Sequence, residues 1–479
     1  MENGTVDDQL FEVAVGPRKT SATPSSVTAK TFRHYDPSQS FLLPPSLDDW
    51  LPEDHEARFI SEAVDGLLDL SVIYGSYATA DGAPPYDPRM MLKLLLYSYS
   101  IGVTSSREIE RRCVTDVAFR FLTANAAPDY RSMARFRRRH LDALDDLFTQ
   151  VLVLCATAGL LKLGRVALDG TKLRASASRH KAMSYDHMQK KIEQLDAEVR
   201  EILAEAEAID REEDEAFGAD HRGDEVPAEL ARRETRLAKM REAMKAIEAE
   251  AKERTGAKKT KNPERTNDEE IAEAAEQAGE RAKPAAKAQR NFTDPESRIM
   301  KTSDGSFHYA YNAQAVVDEK NQVVLAGLVT QQATDVNQLT PMIAAMGNQL
   351  VRAGVEDRPK VLLADAGYCS KDDLDALVAT GRLTHDERVT AAPRGRIPKN
   401  TTAKQRMARR LRTKAGRADY ARRKAIVEPA FGQMKVRQHA GHLRLRGLDG
   451  ARGEWTLHLV CHNLRKLANA GGSAAIATA

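Results

Sequence analysis

The stretch R-V-A-L-D-G-T-K, Arg165–Lys172, decides the reading of the fold. Val166, Ala167 and Leu168 make a short apolar run, followed directly by the acid Asp169 and then by Gly170. A short apolar run bounded by a turn pair is the pattern of a buried strand. A strand that ends in a carboxylate holds the acid at a fixed place, and the end of the sheet leaves it open to a cleft. Asp-Gly alone is first of all a turn signal, so the run gains weight only from its company. A second run, V-L-L-A-D-A-G-Y (Val361–Tyr368), repeats the arrangement with Asp365 and Gly367. A third acid, Glu428, sits in a helical pattern nearer the C-terminus. Two strand-end aspartates and one helical glutamate are a set that can converge on a pair of divalent cations.

The chain has 479 residues, enough for two or three domains and a sizeable core. With 42% hydrophobic and 29% charged residues, most of it reads as globular. The net charge of +3 conceals strong blocks of both signs, and for a nucleic-acid partner the blocks matter more than the total. Cys113, Cys155, Cys369 and Cys461 are scattered without C-x-x-C spacing. That argues against a zinc site or a disulfide framework and for small buried hydrophobes. No run approaches membrane-spanning length and no apolar segment follows a basic start. The expected setting is the cytoplasm, with no membrane partner.

Working outward toward the N-terminus, residues 1–30 are rich in Ser and Thr and are expected to form a disordered tail. Phe41–Pro52 reads as an extended arm with aromatic anchors. Residues 31–163 read as an all-helical DNA-binding domain. Asp54–Leu70 has helical apolar spacing, Ser71–Pro85 is a Gly/Pro/Ala-rich connection, and Asp87-Pro88 opens the next helix. Shorter helices follow from Ser105, and an apolar helix over Leu141–Leu163 leads into the Asp169 strand. The segment R-S-M-A-R-F-R-R-R-H carries Arg131, Arg135, Arg137, Arg138 and Arg139. A short helix after a turn, with Ser and Arg at its start, suits a helix-turn-helix entering a DNA groove. Arg131, Arg135 and Arg138 are the DNA-binding candidates in it; the bland alternative is a solvated basic face.

Toward the C-terminus, residues 178–289 interrupt the strand pattern. Ile192, Leu195, Val199, Ile202, Ala206 and Ile209 step alternately by three and four, the seam of a coiled coil. After a polar break at Gly218–Pro227 a second seam runs through Leu230, Leu237, Met240, Met244 and Ile247. The expectation is an inserted antiparallel coiled-coil hairpin followed by a mobile linker over Lys252–Gln289. Such a hairpin is equally a dimerisation device, and a homodimer is expected.

Strands then return. Phe307–Asp318 and Val323–Thr330 alternate and pair across the polar turn Glu319–Gln322. Gln338–Gly354 is a helix, the Asp365 strand follows, then a helix near Lys371–Thr380 and a short strand near Val389–Pro393. Arg394–Lys414 is strongly basic and contains no acid. Arg417–Arg437 is the helix with Glu428, and Glu454–Leu467 is the last helix. Residues 468–479 are read as a disordered tail. The fold class is α+β: a mixed-sheet core formed by 164–177 and 290–467, an N-terminal helical domain and an inserted hairpin.

The order of strand with Asp169, two-strand hairpin, helix, strand with Asp365, a further strand and helix with Glu428 resembles a ribonuclease-H-like catalytic core. The motifs Y-D-P-R-M-M-L-K-L-L-L-Y, L-D-G-T-K, D-P-E-S-R-I-M-K, Y-N-A-Q-A-V-V-D, A-D-A-G-Y and R-K-A-I-V-E-P-A-F-G-Q-M-K resemble those of the DDE transposases of bacterial insertion sequences. The similarity is to the eleven-eighty-two type of the IS four/five-like group and spans roughly Phe32 to Leu467. Glu428 is followed after six residues by Lys435, as in the family's E-x6-K pattern, and Tyr420 and Arg423 precede it much as in the Tyr/Arg/Glu/Lys signature. Arg423 lies one residue further from Glu428 than in the usual spacing, with Lys424 in its place. The long insert lies between the first and second strands, whereas many transposases of this fold carry theirs before the Glu helix.

The resemblance implies DNA cleavage and strand transfer with two Mg²⁺ ions, with Mn²⁺ able to substitute. Asp169 would bridge the metals, Asp365 and Glu428 would hold one each, and Lys435, Tyr420, Arg423 and Lys424 would meet DNA phosphates. The partner implied is double-stranded DNA, transposon ends and target, and the location nucleoid-associated. A ribonuclease-H-like nuclease or resolvase would share the acids without needing the insert and the helical domain. A catalytically inactive dimeric DNA-binding regulator would have no use for three acids. His462-Asn463-Leu464-Arg465 spells the H-x-x-R of tyrosine recombinases, but no Tyr follows Arg465 to act as nucleophile.

Overall fold

A computed structural model gives the architecture and describes residues 46–77, 84–178, 181–217, 228–260, 282–302, 304–368, 377–378, 395, 401 and 403–477. The N-terminal part is helical: α1 (Leu47–Trp50), α2 (Glu56–Glu62) with a π-helical turn after it (Ala63–Leu67), α3 (Ser71–Gly75), α4 (Pro88–Ser100), α5 (Ser106–Thr115), α6 (Val117–Thr123), α7 (Tyr130–Arg139) and α8 (Leu141–Thr157). The starts of α4 and α7 follow from local chemistry. The Asp87 carboxylate accepts from Arg89 N–H with Pro88 in the first turn, and Asp129 accepts from the amides of Arg131 and Ser132.

Next come β1 (Arg165–Arg174), β2 (Ala182–Ser184), α9 (Tyr185–Phe217), α10 (Ala228–Thr260), β3 (Gln289–Asn291), β4 (Arg298–Lys301), β5 (Phe307–Asp318) and β6 (Val324–Thr330). The chain continues through α11 (Leu339–Arg352), β7 (Val361–Ala364), β8 (Leu377–Val378), α12 (Ala403–Arg412), α13 (Lys414–Arg437), α14 (Leu448–Asn469) and α15 (Ser473–Ala477). The main sheet is mixed. β1 pairs antiparallel with β5 and parallel with β7, β8 extends it beyond β7, and β4 and β6 share the outer edge of β5.

Register places the two aspartates. The parallel pairing of β1 with β7 runs from Arg165↔Val361 to Leu168↔Ala364 and stops there. Asp169 and Asp365 are the next residue on each strand, so they stand level where the two strands part. The antiparallel pairing of β1 with β5 continues from Val166↔Asp318 to Arg174↔Ala310. β1 therefore does not end at Asp169, as the Asp-Gly pair suggests, because β5 supplies a partner for the rest of its length.

The helical part and the sheet share one apolar core, which includes Ile60, Leu95, Leu152, Leu168, Val316 and Trp455. Leu47–Ala479 is accordingly one compact unit. α14 makes the join, packing against α8 and α4 as well as β6. At that join the buried Glu454 accepts from the Tyr99 hydroxyl at 2.8 Å and from the amides of Arg444 and Leu445 at 2.7 and 2.8 Å. Burial pushes the Glu454 carboxyl up, against the pull of Arg137.

In the insert, Met188 packs with Ala243 and Ile247, and Leu195 with Leu237 and Met240. The start of α9 thus lies against the later part of α10, so the two helices run antiparallel, and β2–β3 pairs the chain where it enters and leaves. Arg241 reaches Asp196 at 2.7 Å across the two helices.

Several local expectations are corrected. Leu47–Trp50 and Ser71–Gly75 are helical, within what reads as an arm and a connection. α10 continues to Thr260, beyond the expected linker start at Lys252, since Lys, Glu and Ala are good helix formers. Leu377–Val378 forms a strand within the expected Lys371–Thr380 helix, paired beside β7. Ser473–Ala477 is a helix, within the expected tail. The expected tail at 1–30, the polar break, most of the linker and the Val389–Pro393 strand lie outside the described residues.

Candidate active site

The site is built where β1 and β7 part and α13 crosses them. Asp169 Oδ1 accepts from the Gly170 amide at 2.9 Å, and Asp365 Oδ1 accepts from the Ala366 amide at 2.8 Å. Each carboxylate thus has one oxygen tied to its own backbone. The other oxygens meet the same group. Arg423, on α13, places Nη1 2.9 Å from Asp169 Oδ2 and Nη2 3.9 Å from Asp365 Oδ2. The Tyr420 hydroxyl donates to Asp365 Oδ1 at 3.2 Å, and its ring centroid lies 6.0 Å from the guanidinium.

Charge is expensive in this position. Burial raises the Asp169 carboxyl above its ordinary range, and Arg423 works in the opposite direction. Burial likewise raises the Tyr420 hydroxyl. Lys435, in the last turn of the same helix and partly buried, is lowered by burial while the charge of Asp169 holds it up.

Of the three acids singled out in sequence, the fold brings Asp169 and Asp365 together. Glu428 is 58% exposed and pairs at 3.8 Å with Lys424. Among the described residues no group of three or more His, Cys, Asp or Glu side chains is set to hold a metal ion. Glu428 and Lys435 are seven residues apart and so share one face of α13. Between Arg423 and Lys424, the fold turns Arg423 inward to the aspartates and leaves Lys424 72% exposed.

The opposite face of β1 carries a polar network that sequence reasoning misses. Asp335 Oδ1 accepts from Lys172 Nζ at 3.3 Å, Asn312 Nδ2 at 2.8 Å and Gln314 Nε2 at 2.9 Å. Tyr368, three residues after Asp365, donates its hydroxyl to Gln314 Oε1. Gly170 leaves room for this network: a Cβ there would lie 2.4 Å from Gln314 Nε2 and 2.9 Å from Asp335 Oδ1. The Asp-Gly pair is thus a close approach inside a strand rather than a turn. Asn312 and Gln314 do leave a sequence signal, two polar residues at strand spacing inside a buried run. Asp335, in a loop, leaves none.

On α7, Arg131, Arg135 and Arg138 are exposed and stand at helical spacing on one face. With Tyr130, Ala134 and Arg139 they line an open concavity of about 640 Å³. Arg137, counted with this basic cluster in sequence, belongs elsewhere: it is buried and donates to the Tyr99 hydroxyl and to Thr104 O. The H-x-x-R residues are structural. His462 meets Gln322 O at 2.8 Å, Asn463 brackets Val324 through its N–H and carbonyl, and Arg465 pairs with Glu56 at 2.7 Å. No described helix is long and apolar enough to cross a membrane.

Two family models match the chain. Residues 45–139 match the one described as Transposase domain (DUF772), and residues 278–464 match the one described as Transposase DDE domain. Set against curated proteins and solved structures, the chain finds no match.

Proposed function

On the premise that the chain belongs to the insertion-sequence DDE transposases, we propose that Asp169, Asp365 and Glu428 hold its divalent cations. Transposases of this family bind DNA, cleave it and transfer its strands with divalent metal ions. The assignment is carried by one observation: Asp169 and Asp365, from separate strands, each direct one oxygen to the same cationic group. Hard oxygen donors already gathered about a positive charge suit Mg²⁺, with Mn²⁺ as a substitute. Bound there, two such ions supply an activated oxygen nucleophile and a stabilised leaving oxygen. Glu428 is assigned as the third acid from its spacing to Lys435 on one helix face.

The surrounding residues serve DNA. Lys435, Tyr420, Arg423 and Lys424 are assigned to phosphates near the reacting bond, where charge-assisted hydrogen bonds orient the backbone. Arg131, Arg135 and Arg138 are assigned to the transposon ends, with their exposure and shared face as support. The mixed sheet is read as a ribonuclease-H-like core of 164–177 and 290–467. With it go an N-terminal DNA-binding part at 31–163, a coiled-coil insert and linker at 178–289, and tails at 1–30 and 468–479. The motif spacing supports the eleven-eighty-two type, acting as a homodimer on double-stranded DNA in the cytoplasm, at the nucleoid.

The test measures nicking of labelled end DNA in Mg²⁺ beside a gel shift of the same protein. Asp169→Asn, Asp365→Asn and Glu428→Gln should each lower nicking by roughly 10³-fold or more and leave binding largely intact. Undiminished nicking in any one of them removes that residue from the set. Changing Arg131, Arg135 and Arg138 together to Ala should weaken binding and reduce its salt slope by roughly three counterions. An unchanged slope would place the DNA elsewhere.

A further inference from the structure

Resting on the reading of Asp169 and Asp365 as metal-holding acids, we infer that Arg423 is a placeholder cation, occupying the seat between them until a divalent ion takes it. The geometry is that of a seat. Asp169 Oδ1 and Asp365 Oδ1 are committed to the amides of Gly170 and Ala366, which fixes both carboxylates and leaves both Oδ2 atoms for one partner. That partner is the Arg423 guanidinium, 2.9 Å from one and 3.9 Å from the other.

Arg423 is a poor permanent occupant. Its side chain is 8% exposed, yet its Nε has no hydrogen-bond partner among the described residues. Buried N–H groups without an acceptor are uncommon, so the seat between the carboxylates does not meet all of the needs of this side chain. Guanidinium and divalent cation carry the same sign of charge, so both cannot occupy the space between these two oxygens. Without metal, Arg423 offsets two like charges that would otherwise repel each other at the meeting of β1 and β7. With metal, the same side chain becomes a competitor and must move away. The cost of displacing it lowers the affinity of the DNA-free protein for metal. Neighbouring cations on α13 do not share this role: Lys424 faces Glu428, and Arg422 faces Glu319.

The test is a titration of the full-length protein with Mn²⁺ in the absence of DNA, read by the electron paramagnetic resonance of the free ion. Arg423→Gln removes the competing charge and should raise Mn²⁺ affinity by roughly tenfold or more. Equal or weaker affinity overturns the inference, since a residue that merely supports the site would weaken metal binding when lost. Asp169→Asn in the same titration separates the two claims. If it binds Mn²⁺ as the unchanged protein does, the metal reading itself fails. If it loses Mn²⁺ while Arg423→Gln gains none, only the placeholder fails. Thermal unfolding in EDTA checks that each variant is folded. Should Arg423→Gln not fold, Arg423→Met, which also removes the charge and keeps much of the side chain's length, should bind Mn²⁺ more tightly than the unchanged protein, and affinity at or below it overturns the inference.

Discussion

The two faces of β1 hold acids in opposite ways. On one face Asp169, with Asp365 level on the neighbouring strand, shares a single guanidinium that arrives from a helix 254 positions further along the chain. On the other face Asp335 receives three donors from β1 and β5, and Tyr368 locks the network to the turn after Asp365. The second arrangement is a finished hydrogen-bond network, which fixes position. The first leaves one cation between two anions with a buried N–H unmatched among the described residues, which suits an arrangement that changes when a ligand binds. On the proposed reading, a carboxylate's surroundings, more than its presence, separate an acid that holds metal from an acid that braces.

The contrast can be broken most directly by activity. Asp169→Asn should lower DNA nicking by roughly 10³-fold, whereas Asp335→Ala, assayed per folded molecule, should lower it by only about tenfold. Equal losses would mean that both faces serve the chemistry. Stability should reverse the order. Asp335→Ala strips an acceptor from three donors and should cost about 2 kcal/mol, seen as an earlier thermal transition. Gly170→Ala drives a methyl against Gln314 and Asp335 from the same side. It should cost about 1–2 kcal/mol through overpacking; an unshifted transition would show that the network yields freely. The smallest effect belongs to Tyr368→Phe, which removes one hydrogen bond and should cost about 1 kcal/mol. A larger loss would mean that the Tyr368 link holds the Asp365 turn almost alone.

Much of this arrangement is legible in the sequence. The hairpin of β5 and β6 falls where alternation and a polar turn place it, and Arg131, Arg135 and Arg138 are exposed on one face of α7. Arg137 does not join them. It stands in a run of basic residues, and only the packing of α7 on α4 selects it for the buried side. Gly170 reads as a turn for a related reason: a turn and a close approach both call for glycine, and only β5 with Asp335 distinguishes them. Asp335 leaves no trace because a single acid in a loop has no period.

By itself the sequence determined where β1, β5, β6 and β7, most helices and the insert would lie, that two aspartates would follow buried apolar runs, and that Glu428 and Lys435 would share a helix face. Those are consequences of period and spacing, which are local. Only the tertiary structure decided that Arg423 rather than Lys424 meets the aspartates, and that the helical part shares its core with the sheet. The inward turn of Arg423 and the shared core depend on contacts between residues hundreds of positions apart. Such contacts are settled by how whole elements pack, because one helix turn moved by a single residue presents a different side chain to the same site.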